Sequence, residues 1–131
     1  KGNIIKNGND VAILACGVMV NEAKIAVKKL ANDGIDACIV DMHTIKPLDG
    51  GLIEELAKQC GCIVTVEDHS VIGGLGGSVA EFLSRNIPTP LEMVGVDDRF
   101  GESGGTSELM SHLNIDSEAI VKATKSVIKR K

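Results

Sequence analysis

The chain has no tryptophan and no tyrosine, and only two phenylalanines. A stacking platform for bases or sugars is therefore missing. Three histidines limit the candidates for a general base. The longest apolar stretch, Val11 to Val20, is half of the ~20 residues that a membrane-spanning helix requires. No basic leader followed by an apolar run and a small-residue cleavage site is legible, so no secretion signal is expected. A basic face, which a nucleic-acid surface needs, is also missing. Fourteen Lys+Arg against 18 Asp+Glu give a net charge of -4 and a pI near 5.3. The one basic cluster, Lys125, Lys129, Arg130 and Lys131, is expected to be a solvated helix end favoured by the helix dipole.

What is present is ordinary globular material. The 131 residues (13.7 kDa) are 44% hydrophobic and 24% charged, enough apolar surface to offset the ordering entropy of one domain. Of four cysteines, Cys16 and Cys38 lie inside apolar runs, as buried free thiols do. Cys60-Gly61-Cys62 is C-x-C rather than the C-x-x-C of a redox or zinc site. Free thiols in a reducing cytoplasm are the simplest expectation.

Strand and helix patterns alternate. Val11 to Cys16 is a continuous apolar run ending at Gly17, suited to a strand covered on both faces. A helix follows, with Asn21 as its cap, Gly34 as its stop, and Ala23, Ala26, Val27, Leu30 and Ala31 on one face. Ile35 to Val40 reads as the next strand, closing at Asp41. Pro47 biases Lys46 to an extended conformation, and Asp49 caps a helix carrying Leu52, Ile53, Leu56, Ala57 and Cys60 to its stop at Gly61. Cys62 to Val66 is a strand running directly into Glu67-Asp68-His69-Ser70. Gly73 to Gly77 opens a helix through Arg85, with Val79, Ala80, Phe82 and Leu83 inward. After Pro88 and Pro90, Leu91 to Val96 is a further strand. A polar loop from Arg99 to Gly105 leads to a short helix at Ser107 to Leu113. Asp116 caps the last helix, with Ile115 and Ile120 as a hydrophobic staple and Ala123, Val127 and Ile128 on its apolar face. Gly2 to Lys6 is expected as an edge strand, turning through Asn7-Gly8 into Val11 as a hairpin.

Such alternation implies parallel pairing, hence a three-layer α/β/α sandwich. We expect a mostly parallel sheet of about five strands with one antiparallel edge strand.

In open α/β sheets ligands gather at the carboxyl ends of strands, here Gly17, Asp41, Glu67 to Ser70, and Asp97-Asp98. A carboxylate beside a histidine could perform acid–base work, but neighbours along a strand point to opposite faces. The plainer reading has Glu67, Asp68, His69 and Ser70 bonding the following loop and a neighbouring subunit. The glycines Gly73, Gly74, Gly76 and Gly77 could cradle a phosphate at a helix start. They match neither specific fingerprint: Val79 stands where a dinucleotide motif needs its third glycine, and no Lys-Ser or Lys-Thr follows. Such a turn also permits close approach of another protein chain. Ser103 is not in G-x-S-x-G, which disfavours a serine hydrolase. His43 and His112 read as surface or packing residues.

Five stretches carry a resemblance. They are Asp10 to Gly17, Asp41-Met42-His43-Thr44-Ile45-Lys46-Pro47-Leu48-Asp49, Val64 to Ser70, Gly73-Gly74-Leu75-Gly76 and Phe100-Gly101-Glu102-Ser103-Gly104. In this order they resemble the C-terminal domain of transketolase, in a group that includes deoxyxylulose-phosphate synthase and the β subunits of 2-oxo acid dehydrogenases. The resemblance covers nearly the whole chain, and Phe100 to Gly104 leans towards transketolases split into two polypeptides. It implies that residues 1–131 are one domain of a longer enzyme, cytoplasmic, that transfers a two-carbon ketol unit between sugar phosphates using thiamine diphosphate and a divalent metal (Mg). The cofactor would sit between pyrimidine- and pyrophosphate-binding domains, which are the expected partners, in a homodimer or a split-subunit heterotetramer. Neither nucleic acid nor membrane is expected. This domain would pack the assembly and hold no catalytic residue, cofactor or metal, and Glu67 is not the glutamate that activates the aminopyrimidine. Its candidate interface is Glu67, Asp68, His69, Ser70, Gly73, Gly74, Gly76 and Gly77. One competing expectation is a 2-oxo acid dehydrogenase E1 β or deoxyxylulose-phosphate synthase domain acting in subunit or carrier docking. Another is a free-standing nucleotide or small-ligand binder using the Gly73 to Gly77 turn. As an isolated piece, the domain is expected to self-associate weakly through apolar surface left uncovered.

Overall fold

In the computed structural model, residues 2–42, 47–70, 74–96 and 116–131 are described. Expectations for His43 to Lys46, Gly73, Asp97 to Gly105, the helix at Ser107 to Leu113, His112 and Ile115 lie outside the described residues, as do the side chains of His69 and Ser70.

The apolar run after residue 10 becomes β2 (Val11–Ala15), every residue of it buried. Its alternation divides the core. Val11, Ile13 and Ala15 face one layer, and Ala12 and Leu14 face the other. Such two-sided burial requires a central position, and β2 has it. It pairs in parallel with β3 (Ala37–Asp41) on one side and β4 (Ile63–Ser70) on the other. β5 (Leu91–Val96) extends the sheet beyond β4, again in parallel. β1 (Asn3–Lys6) closes the far edge, antiparallel to β3, giving the order β1-β3-β2-β4-β5.

The sheet is thus mixed and five-stranded, as expected, but the hairpin from β1 into β2 is not formed. Both edges of β2 are taken by parallel partners, so β1 pairs instead with the outer edge of β3. The chain crosses from β1 to β2 through Gly8, which lies on the backbone where β3 begins. Asp10 and Asp36 pin this crossing. Asp10 N–H donates to Asp36 O (2.8 Å), and Asp36 N–H donates to Asp10 Oδ2 (2.7 Å).

Helices α1 (Met19–Asn32) and α4 (Ser117–Ile128) cover one face, packing Leu30, Val27, Ile120 and Val127 against Ile13, Ile39 and Val64. Helices α2 (Gly50–Cys60) and α3 (Leu75–Asn86) cover the other, with Ile53, Leu56, Val79 and Leu83 on Leu14, Val40 and Ile63. At about 25 cal/mol per Å² of buried apolar surface, these two clusters are the main favourable term in folding.

Local chemistry sets most helix ends. Asp49 accepts from Leu52 N–H (3.2 Å) and Asp116 from Ala119 N–H (3.1 Å), as their cap positions require. Gly61 stops α2 in the left-handed region (φ 76°), donating its N–H to Ala57 O. Two expectations for α1 fail. Asn21 is not its cap, because Gly17 (φ 66°) turns the chain at once and the helix begins at Met19. Ala31 is exposed rather than part of the buried face.

The basic C-terminus is not simply solvated. Arg130 Nη2 donates to Leu91 O (2.6 Å) and Glu92 Oε2 (2.8 Å), Lys131 Nζ to Asp10 O (3.0 Å), and Lys125 pairs with Asp33 (2.7 Å). These contacts tie the end of α4 to the sheet, though each exposed ion pair is worth only about 0–1 kcal/mol. Among the described residues no helix is long and apolar enough to cross a membrane.

Candidate functional site

Parallel pairing of β2, β3 and β4 aligns their carboxyl ends and brings Cys16, Asp41, Glu67 and Asp68 to one edge of the sheet. Alternation along β4 then separates them. Thr65 and Glu67 are fully buried, while Asp68 is exposed. Asp68 turns toward the β2 end, where a Cβ on Gly17 would stand 3.8 Å from its Oδ1.

Glu67 is the central feature of this edge. Its Oε1 accepts the N–H of Leu75 and its Oε2 the N–H of Gly76, each at 2.7 Å. These amides belong to the first turn of α3, which has no helical partners for its leading N–H groups. The residue at the cap position is Gly74, which has no side chain to bond them. A carboxylate reaching across from β4 does so instead. It meets the positive end of the helix dipole there. Each charge-assisted bond is worth about 1.5–3 kcal/mol, which compensates the burial of the carboxylate. Gly76 lets the start of α3 pack closely on β4 and β5: a Cβ on it would lie 2.6 Å from Met93 Sδ and 3.0 Å from Thr65 Oγ1. Thr65 Oγ1 itself is buried with no hydrogen-bond partner.

Cys16, just beyond the end of β2, brings a thiol to this edge. Burial, then the charges of Glu67, Asp68 and Asp41, push its thiol up to about 11. It stays protonated at neutral pH and is a poor nucleophile. The other thiols, Cys38, Cys60 and Cys62, are free, buried and raised by desolvation in the same way.

Of the residues singled out from sequence, the structure brings Glu67 to the glycine-rich helix start formed by Gly74, Gly76 and Gly77, and leaves Asp68 on the outer side. The phosphate-cradle reading of these glycines meets an occupied site, because the Leu75 and Gly76 amides are already bonded. From sequence, Glu67 is expected to bond the segment after β4, but its capping of α3 is not foreseen. The only trace of that cap was a helix start without Ser, Thr, Asp or Asn before it. Also unforeseen is a cleft of about 310 Å³ at the opposite edge, between Leu83 and Ser84 of α3, Pro88 to Leu91, and Arg130. Its one cationic group is the guanidinium already bonded to Leu91 O and Glu92. Among the described residues no three His, Cys, Asp or Glu side chains come together as a metal site. With the α3 amides taken as well, the described residues do not fit a diphosphate–metal cofactor.

The fold and this edge define a class: a three-layer α/β domain with a central, mostly parallel sheet and a glycine-rich helix start anchored from the strand before it. Residues 1–120 match the family described as transketolase, C-terminal domain, and the chain belongs to that family. It is 44% identical over 131 residues to the 6-deoxy-6-sulfo-D-fructose transketolase subunit SqwH of Clostridium sp. (strain MSTE9), covering 100% of this chain and 41% of that one. A transketolase C-terminal section of Methanocaldococcus jannaschii is likewise 44% identical, over 99% of this chain and 40% of its own length. A 1-deoxy-D-xylulose-5-phosphate synthase of Geobacter sulfurreducens is 37% identical, with 21% of its length covered. Among solved structures, a split-gene transketolase described as an inactive β4 tetramer superposes with a TM-score of 0.95 at 43% identity, over 98% of this chain and 42% of that one. A transketolase mutant from Pichia stipitis shares the fold (TM-score 0.73, 22% identity). The chain therefore spans about two fifths of the length of its transketolase-subunit relatives.

Proposed function

We propose that this domain is the packing and assembly part of a longer, cytoplasmic, thiamine diphosphate-dependent transketolase. The complete enzyme moves a two-carbon ketol unit from a ketose phosphate to an aldose phosphate. Pyrimidine- and pyrophosphate-binding domains elsewhere in the enzyme hold thiamine diphosphate and Mg, and the assembly is a homodimer or a split-subunit heterotetramer. Within it, residues 1–131 form one domain that holds no cofactor. Of the expected interface residues, Asp68 and the helix start at Gly74 and Gly77 would face the neighbouring domain or subunit, while Glu67 and Gly76 lie buried behind them.

The observation that carries this reading is the commitment of Glu67. The carboxylate best placed for acid–base work spends both oxygens on the Leu75 and Gly76 amides. The neighbouring thiol is held protonated. Family membership supports the rest: two transketolase subunits or sections are 44% identical to this chain, against 37–40% for deoxyxylulose-phosphate synthases. This favours the transketolase reading over the synthase alternative.

Two measurements test the proposal. The complete enzyme, assayed with a ketose phosphate donor and an aldose phosphate acceptor, is expected to transfer the ketol unit. Turnover of 2-oxo acids alone would refute this. Calorimetric titration of residues 1–131 with thiamine diphosphate is expected to show no binding, and micromolar binding would overturn the assembly role.

A further inference from the structure

The first turn of α3 has the makings of an anion site: leading amides without helical partners, glycines that let a ligand come close, and the positive end of a helix dipole. In this chain the ligand is internal. Leu75 N–H and Gly76 N–H each bond a different oxygen of Glu67 at 2.7 Å, and the side chain is fully buried. One N–H on each oxygen is the pattern that an acceptor-only carboxylate satisfies. A second observation marks the place as polar beyond the helix start. Thr65 Oγ1, on the same face of β4, is buried and unpartnered, and Gly76 lies directly over it.

We infer that Glu67 is a built-in ligand, a carboxylate that occupies the anion site at the start of α3 and closes it to small carboxylates and phosphates. Under the function proposed above, substrates and cofactor all carry phosphate. A second open anion site away from the reaction would hold them unproductively, and Glu67 removes it. Only that benefit rests on the proposed function; the occupancy itself is a property of Glu67, Leu75 and Gly76.

The chemistry offers a direct test. Glu67→Ala removes Cγ and the carboxyl group, the same atoms that acetate carries. In the complete protein, the variant is expected to melt at a lower temperature than the wild type. Acetate should then raise its melting temperature along a saturable curve, above a chloride control at equal ionic strength. Wild type and Glu67→Gln should respond to acetate as they do to chloride. An acetate effect no larger than that of chloride in Glu67→Ala overturns the inference. If Glu67→Ala does not fold, Glu67→Gln supplies the answer through hydrogen exchange. Its amide group sets an N–H₂ against one of the two backbone donors. Exchange at Leu75 and Gly76 should then speed up by at least about tenfold, with Leu83 unchanged. Unaltered exchange at Leu75 and Gly76 overturns the inference. Neither readout depends on turnover, so failure of the proposed reaction leaves both results interpretable.

Discussion

Gly8 lies against the peptide of Ala37. A Cβ placed on Gly8 would stand 2.4 Å from the Ala37 carbonyl carbon and 2.7 Å from Cys38 N. The obstruction is backbone inside a strand, so no side chain can swing away. This contact lets the chain leave β1 and pass the start of β3 on its way to β2. The Gly8 carbonyl, in turn, accepts from Gln59 Nε2 (2.8 Å) and Cys60 Sγ (3.5 Å).

Gly8→Ala is therefore expected to cost about 3 kcal/mol, the upper end of overpacking penalties, because nothing flexible can yield. Urea unfolding of the variant beside the wild type measures it. A loss within 0.5 kcal/mol, roughly the range of neutral surface changes, would contradict the contact.

Gly76 presents the opposite case. The atoms that a Cβ would meet most closely belong to the end of Met93, a side chain that is 43% exposed. Gly76→Ala should destabilise the protein by about 1–2 kcal/mol as Met93 is displaced. In a Met93→Ala background the same change should cost at least about 1 kcal/mol less. A double-mutant cycle reads the coupling, and additive effects would place the obstruction elsewhere.

The cysteines predict a loss of stability in alkali. Cys16 is pushed up to about 11 and Cys60 to about 12, chiefly by burial. In the unfolded chain thiols titrate near 8.5. The native state thus keeps protons that the unfolded state gives up. The contribution is complete below pH ~8.5 and declines as pH rises from there through about 11 for Cys16 and about 12 for Cys60. The urea midpoint should fall over that window, and Cys60→Ala should flatten the fall. A midpoint independent of pH between 8 and 11 would refute the assignment. At pH 8 the native protein should also resist iodoacetamide until it is unfolded.

Thr124 lies inside α4 with its Oγ1 buried and unpartnered. Thr124→Val replaces that hydroxyl with a methyl group of the same shape and should stabilise the protein by about 1 kcal/mol. A thermal shift below the wild type would show that the hydroxyl has a partner.

Sequence alone determined the elements and their layering, because those depend on local chemistry and on periodicity. The two-sided apolar run at Val11 to Ala15 requires a central strand. Asp49, Gly61 and Asp116 bound their helices through bonds to residues three or four positions away, within reach of a motif. The family resemblance was legible for the same reason, being carried by short contiguous stretches such as Thr44 to Asp49 and Glu67 to Gly76. The tertiary structure decided what depends on contacts between distant segments. It set β1 beside β3 rather than β2, because both edges of β2 were already taken. It carried Glu67 from a position that sequence could read as acid–base chemistry to one that caps α3, since the pleat of β4 turns that side chain inward just where α3 begins without a cap of its own.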